Sequence, residues 1–304
     1  MEIFVTGGSG FVGRSLTQAL VGEGHTVTVL SRSAQAAARL PLGVGSCLGD
    51  PTGPGPWQEE AARHQGFINL AGAPVFERWT QPYKRLILES RLASTRNLVQ
   101  AMARRQSQEP AVLVSASAVG YYGPRGDEEL TEASQPGDDF LAQVCRQWEA
   151  EAQRAEDLGA RVVRARFGLV LGEGGGALAK MLPVFRRGLG GPLGSGRQWF
   201  SWIHQRDLVN ALLWCLTRPG LAGAVNCTSP NPVTNQALSK TLGQALKRPA
   251  FLPAPAFMVR LVLGEFASVV LTGQRVLPQV LTQGGFSFAY PDLDQALAEL
   301  LGLR

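Results

Sequence analysis

The stretch TGGSGFVG, residues 6–13, constrains this chain more than any other part of it. It lies between a short β-branched run, EIFVT, and an amphipathic stretch that ends near Glu23, so the local order is strand, tight turn, helix. Gly7, Gly8, Gly10 and Gly13 let the backbone turn sharply and be approached closely, and Ser9, Phe11 and Val12 complete the loop. The first N–H groups of a helix have no partner within it and carry the positive end of its dipole, so a pyrophosphate is well received there. A glycine pattern alone says little; a strand before it and a helix after it make it a dinucleotide signal.

The rest of the chain repeats this alternation. TVTVLSR and GFINLAG read as strands, a helix is expected near Glu89–Arg105, and AVLVSAS, the helical DDFLAQVCRQWE and the strand-like RVVRARFGLVLG follow. Strand and helix in turn imply parallel βαβ units with helices on both faces. The fold class is therefore α/β: a Rossmann-type doubly wound parallel sheet with a smaller C-terminal substrate or cap lobe. The texture places a dinucleotide-binding Rossmann domain at 1–172. A substrate-loop region interleaved with that core covers 173–246, and a small C-terminal domain covers 247–304. In the middle region GEGGGALAK and GGPLGSGRQWFSWIH read as loops that close over a ligand. In their company Lys180, Arg197, Gln198 and His204 are candidate contacts to an anionic or sugar-like substrate.

Composition narrows the partners. The 304 residues are 45% hydrophobic and 17% charged, enough for a large core, and the net charge of +5 comes from scattered Lys and Arg. Without a basic face, nucleic acid is not an expected partner, and the excess suits anionic small molecules. Cys47, Cys145, Cys215 and Cys227 show no ligand spacing, nor do His25, His64 and His204, so no metal site is expected. The start MEIFVTGG has no basic leader, and the most apolar late segment, FMVRLVLGEFASVVL, is interrupted by Arg260 and Glu265. Such interruptions argue against a membrane span, so no membrane is expected as a partner, and the widely spaced cysteines read as reduced core thiols of a cytoplasmic protein. No oligomeric state follows, although a homodimer is compatible.

After the second strand, where an NAD site carries an acid for the ribose hydroxyls, this chain has Ser31-Arg32-Ser33. An acid would repel a 2′-phosphate, whereas Arg32 beside hydroxyls binds one through charge-assisted hydrogen bonds. NADP is the expected cofactor, in preference to NAD.

Together, TGGSGFVG, NLAG at 69–72 and SASAVGYYG at 115–123 resemble the extended short-chain dehydrogenase/reductases, the NAD-dependent epimerase/dehydratase family. RFGLVLGEGGGAL, FRRGLGGPLGSGRQWFSWIHQRDL and QRVLPQVL followed by GF narrow the likeness to an atypical epimerase-like group with an extra C-terminal domain. The resemblance implies that Leu70, Ala71 and Gly72 close on the cofactor, that Arg91 contacts it, and that Val170 lies where the nicotinamide passes. It also implies that Ser117 holds the substrate oxygen. Tyr121 and Tyr122 lie on the loop expected to line the cleft, where a phenol near cationic groups would have its pKa lowered toward use as a base. In WIHQRD, Asp207 resembles the acid heading the next helix and is expected to cap it; His204 is expected to be packed and hydrogen-bonded.

Typical members of this family use a tyrosine, with a lysine four residues later on one helix face, to exchange the substrate's proton. The corresponding helix here is DDFLAQVCRQWE, and either Phe140 with Val144 or Leu141 with Cys145 occupies the two positions. Neither register supplies the pair. The helix reads instead as amphipathic, with Phe140, Val144 and Trp148 buried against the sheet. The expected function is an NADP-binding epimerase-like oxidoreductase acting on a small polar, nucleotide-sugar-like substrate with a non-standard acid/base group. The alternative is a cofactor-binding, catalytically weak regulatory or interaction protein of a cell-division-related or redox-sensing kind.

Overall fold

The computed structural model describes residues 1–303. β1 (Glu2–Thr6) passes through the glycine turn into α1 (Phe11–Gly22), followed by β2 (Thr26–Ser31), α2 (Ala34–Ala37), β3 (Gly45–Leu48), α3 (Trp57–Ala61) and β4 (Gly66–Asn69). Then come α4 (Gln81–Met102), β5 (Val112–Ala118), a short β6 (Glu129–Leu130), α5 (Phe140–Gln153) and β7 (Arg161–Phe167). β8 (Leu169–Gly172), α6 (Gly176–Arg186), β9 (Trp199–Phe200), β10 (Trp202–His204), α7 (Gln205–Thr217) and β11 (Gly223–Cys227) complete the larger part.

The central sheet runs β11-β7-β5-β4-β1-β2-β3, with every pairing parallel. Its order reverses between β1 and β4, which opens a crevice at their carboxyl ends. The period of two along the strands sorts the core. Ile3, Val5, Val114 and Val163 face a layer containing Leu16 and Leu20 of α1 and Leu208 and Leu212 of α7. Phe4, Phe67, Leu113 and Val162 face Trp57, Leu98 and Met102 on the other side. α4 begins eight residues before the expected start at Glu89. Thr80 accepts from the Tyr83 N–H at 3.3 Å, Pro82 stands in the first turn, and Tyr83, Leu86 and Ile87 follow at helical spacing, so the true start carries both a cap and an apolar period.

The chain from 173 to 246 is divided between two layers. β11 and α7 belong to the sheet layers, whereas Leu178 and Phe185 of α6 pack with Trp202 into a second core. That core also takes Leu238 and Leu242 from α8 (Asn235–Ala245), which follows β12 (Val233–Thr234), and Leu293 and Leu297 from the last helix. Between them lie α9 (Ala256–Leu263), α10 (Ala267–Leu271), β13 (Arg275–Val276) and α11 (Gln279–Gln283), with α12 (Leu293–Leu300) ending the chain. Among the described residues no helix is long and apolar enough to cross a membrane, and no group of three His, Cys, Asp or Glu could hold a metal ion.

The residues of WIHQRD take other places than expected. His204, not Asp207, caps α7: its Nδ1 accepts from the Arg206 N–H at 3.1 Å, so Nε2 carries the proton toward Glu299 Oε2 at 3.0 Å. The ring is buried and lies 4.1 Å, centroid to centroid, from Tyr290. These contacts commit both ring nitrogens, so His204 is corrected from candidate substrate contact to helix cap. Asp207 is fully buried and accepts from the N–H groups of Ala289 (2.8 Å) and Tyr290 (2.9 Å), tying the C-terminal segment to α7.

Candidate active site

The glycine turn is built by close approach. Gly7 holds φ +73°, and a Cβ there would stand 2.7 Å from the Leu70 carbonyl carbon; a Cβ on Gly13 would overlap the Gly7 carbonyl oxygen. Leu70 and Ala71, at the end of β4, therefore press directly on the loop. Gly10 opens α1 with no side-chain cap and no acid stands in the first turn, which keeps the N-terminus favourable to an anion. Ser9 is exposed in that turn and Val12 packs against the sheet core. Phe11 turns the other way: Cβ atoms on Gly172 and Gly176 would stand 2.7 and 2.9 Å from its ring, and one on Gly175 would strike it. The GEGGG run thus receives an aromatic ring, and its glycines are what make room. Gln205 Nε2 donates to the Phe11 carbonyl (3.0 Å) and to Ser15 Oγ (3.1 Å), fastening this loop to α7.

At the end of β2, the Ser31 hydroxyl is buried without a hydrogen-bond partner, Arg32 is exposed and has no carboxylate within ion-pair distance among the described residues, and Ser33 caps α2. An orphaned hydroxyl beside an unpaired guanidinium fits the phosphate of NADP. On the far side of the crevice Val170 lies in β8, paired with Ile203, and its carbonyl faces Gly176.

Three side chains of α5 face the end of β5. Leu141 packs against Gly120, Cys145 lies wholly buried against the Ser117 side chain and the Ala118 backbone, and Glu149 accepts from Ser117 Oγ–H at 2.7 Å. Of the two registers, Leu141/Cys145 is the one that faces the end of β5. The stripe Phe140–Val144–Trp148 is corrected in direction. Val144 packs with Trp79 and Ile87 and Phe140 meets Trp79 edge-on, so these two face α4 and the loop before it, while Trp148 packs between Leu92 of α4 and Ala116 of β5 and alone reaches the sheet as expected. Trp148 Nε1 donates to Thr95 Oγ1 at 2.9 Å, and that hydroxyl also takes the Asn69 amide at 2.8 Å. Burial, then Glu149, pushes the Cys145 thiol up to about 12, so it holds its proton.

Glu149 and Arg166 went unnoticed in the sequence. Both are buried and meet in a bidentate pair, Nε–Oε1 2.8 Å and Nη2–Oε2 2.9 Å. Arg166 Nη1 also donates to Tyr122 Oη (2.9 Å), which donates to Asn226 Oδ1 (2.7 Å). Tyr122 is fully buried, and burial outweighs the guanidinium to raise its phenol to about 12. The environment thus works against the lowered pKa expected of it, and its hydroxyl is already committed. Tyr121 is half-exposed, its ring 3.5 Å beneath the Arg166 guanidinium. With Glu149 and Arg164 it borders a polar groove of about 520 Å³ on the outer side of α5.

Arg91 completes the site from α4. Its Nη1 donates to the Ile87 carbonyl (2.9 Å), its guanidinium lies 5.1 Å from the Trp148 ring centroid, and Gly72 is open enough for it to approach within 3.1 Å of a Cβ placed there. No carboxylate pairs with it among the described residues, and burial depresses its pKa. Its charge reaches Cys145 on α5 and partly offsets the rise of that thiol's pKa. Lys180 and Arg197 are exposed on α6 and its following loop, away from these contacts. Gln198 bridges the Leu193 and Val270 carbonyls through Nε2 (3.0 and 2.9 Å) and leaves a buried Oε1 unpartnered.

A doubly wound parallel sheet, with a glycine turn at its switch point and a serine closing β5 opposite a helix, defines a dinucleotide-binding protein of the short-chain dehydrogenase/reductase type. The chain belongs to the NAD dependent epimerase/dehydratase family, whose profile matches residues 3–227; a domain of unknown function, DUF1731, matches residues 254–300. It is 42% identical over 305 residues to the Epimerase family protein SDR39U1 homolog, chloroplastic, of Arabidopsis thaliana, covering 99% of this chain and 87% of that one. Among solved structures, the human epimerase family protein SDR39U1 (isoform 2), crystallised with NADPH, superposes with a TM-score of 0.86 at 36% identity, covering 99% of each chain. The nucleoside-diphosphate sugar epimerase from Corynebacterium glutamicum gives 0.78 at 34% identity, covering 99% of this chain and 58% of that one.

Proposed function

We propose that this protein is an NADP(H)-dependent oxidoreductase of epimerase type acting on a small polar substrate of the nucleotide-sugar class. The Ser117–Glu149 hydrogen bond, beside the unpaired Arg91, is the observation that carries this reading. The glycine turn with Leu70, Ala71 and Gly72 would hold the dinucleotide, Ser31 and Arg32 its 2′-phosphate, and Val170 would flank the nicotinamide, which supplies or accepts the hydride. The NADPH in the human relative and the sugar-nucleotide name of the bacterial one support the choice of ligands.

With no tyrosine in either register of α5, no phenol on that helix receives the substrate's proton. Ser117 Oγ can accept a substrate hydroxyl proton while its own proton passes to Glu149, whose other side borders the outer groove. Arg166 already donates to both Glu149 carboxylate oxygens, so the arriving proton must compete with an existing hydrogen bond. Arg91 supplies from α4 the positive charge that typical members take from a lysine on α5, and it stabilises a developing alkoxide electrostatically.

The test is NADPH oxidation, and NADP⁺ reduction in the reverse direction, against a panel of sugar nucleotides and carbonyl compounds. Ser117→Ala should lower kcat by about 10² with the NADPH Kd unchanged. A folded, NADPH-loaded protein that turns over none of the panel would sink the enzymatic reading and leave a cofactor-responsive interaction protein in its place.

A further inference from the structure

α9 is inverted for a surface helix. Its one buried residue is Val259, while Phe257, Leu261 and Val262 are exposed to 70% or more and Met258 to half. At 3.6 residues per turn these four cover an outward arc of about 140°, with Arg260 just beyond its edge. An outward face on a globular protein ordinarily carries charge; this one carries only carbon and a thioether. The apolar surface continues onto the neighbouring turns. Pro192 and Gly194 exchange hydrogen bonds with Ala254 (2.8 Å each), bringing residues 188–194 alongside 249–254, and there Leu189, Phe251 and Leu252 are exposed as well.

The nearby charge is mostly positive: the exposed acid after α9, Glu265, is paired with Lys84 at 2.9 Å, and Glu173 lies before α6. Between Gly174 and Gly264 there are ten Lys and Arg and a single acid, Asp207, which is fully buried in backbone hydrogen bonds. Arg186, Arg187, Lys247, Arg248 and Arg260 are all exposed, and none has a carboxylate partner among the described residues. Arg186 and Arg187 come two or three residues before Leu189, and Lys247 and Arg248 three or four before Phe251, so cations flank both apolar turns along the chain.

We infer that this face of the C-terminal lobe rests on an anionic lipid surface, with α9 lying in the interface plane. A large apolar patch calls for a partner, and an exposed apolar helix flanked by unopposed Arg and Lys suits the acyl boundary and acidic headgroups together. A second copy would bring the same cations against each other, which disfavours self-association through this face. The segment FMVRLVLGEFASVVL is too interrupted to span a bilayer, but an interfacial helix need not span one.

The test is flotation of the full-length protein with vesicles of phosphatidylcholine alone and of roughly equal phosphatidylcholine and phosphatidylglycerol. The protein should float with the anionic vesicles, be released by high salt, and stay behind with the neutral ones. Phe257→Ser with Leu261→Ser, and separately Arg187→Glu with Arg248→Glu, should each lower vesicle binding at least about tenfold with Tm and NADPH affinity unchanged. Failure to float with anionic vesicles at low salt overturns the inference. So does equal binding to both vesicle types, or a concentration-dependent dimer that the serine variant abolishes while vesicles go unbound.

Discussion

Arg32 has few contacts to explain it and the clearest expected effect. Because no carboxylate pairs directly with it, Asp50 acting only at longer range, and the neighbouring Ser31 hydroxyl is unpartnered, Arg32→Ala should weaken NADPH binding by about 10- to 100-fold, the worth of one or two charge-assisted hydrogen bonds. NADH, which lacks the 2′-phosphate, should bind as before, and fluorescence titration with both nucleotides distinguishes the effects. The cysteines test the site's inner wall. Cys145, Cys215 and Cys227 are buried and Cys47 is half-buried, so alkylation of the native protein should label Cys47 alone, with all four labelled in denaturant by intact mass. The sequence made Arg32 and the glycines legible because their roles depend on local geometry. Glu149 and Arg166 were not, since a charged residue in a helix or strand usually faces solvent. Only the packing of α5 over β7 turns these two inward to meet each other.

At the scale of elements, α5 shows how a helix can be recognised while its rotation is misread. Both apolar rows, Phe140–Val144–Trp148 and Leu141–Cys145, fit a helical period, and periodicity does not say which row meets the sheet and which meets α4. The answer lies in polar partners: Trp148 needs the Thr95 hydroxyl on α4, and Glu149 needs Arg166 on β7. The second pairing has a measurable worth. Glu149→Gln leaves the Arg166 guanidinium buried without its counter-charge, and urea unfolding should show a loss of about 3–5 kcal/mol. Adding Arg166→Met to that variant should recover part of the loss, because the stranded charge is then gone. If the double variant is instead less stable by the sum of both single losses, the two residues are not energetically coupled.

Across the whole molecule, the alternation of strands and helices was enough to read the doubly wound sheet, whereas the attachment of the C-terminal lobe was not legible. Asp207 and His204 reach partners more than eighty residues later in the chain, and no local pattern announces a contact of that span. This attachment makes stability depend on pH. Burial chiefly lowers the His204 pKa below its ordinary 6.5, with Glu299 pulling partly the other way, so the folded protein holds fewer protons on this ring than the unfolded chain does. The contribution of neutral His204 is therefore complete above pH 6.5 and is lost as pH falls through the lowered folded pKa. Protonation at Nδ1 also removes the acceptor for the Arg206 N–H and so uncaps α7, the helix that holds the C-terminal segment through Asp207. Calorimetric Tm values from pH 8 to 5 should fall on the acid side of this range, and limited proteolysis should cut first in the segment leading to α12. His204→Gln should lower Tm at pH 8 and flatten the acid fall; an acid fall of undiminished size in that variant would place the titrating group elsewhere.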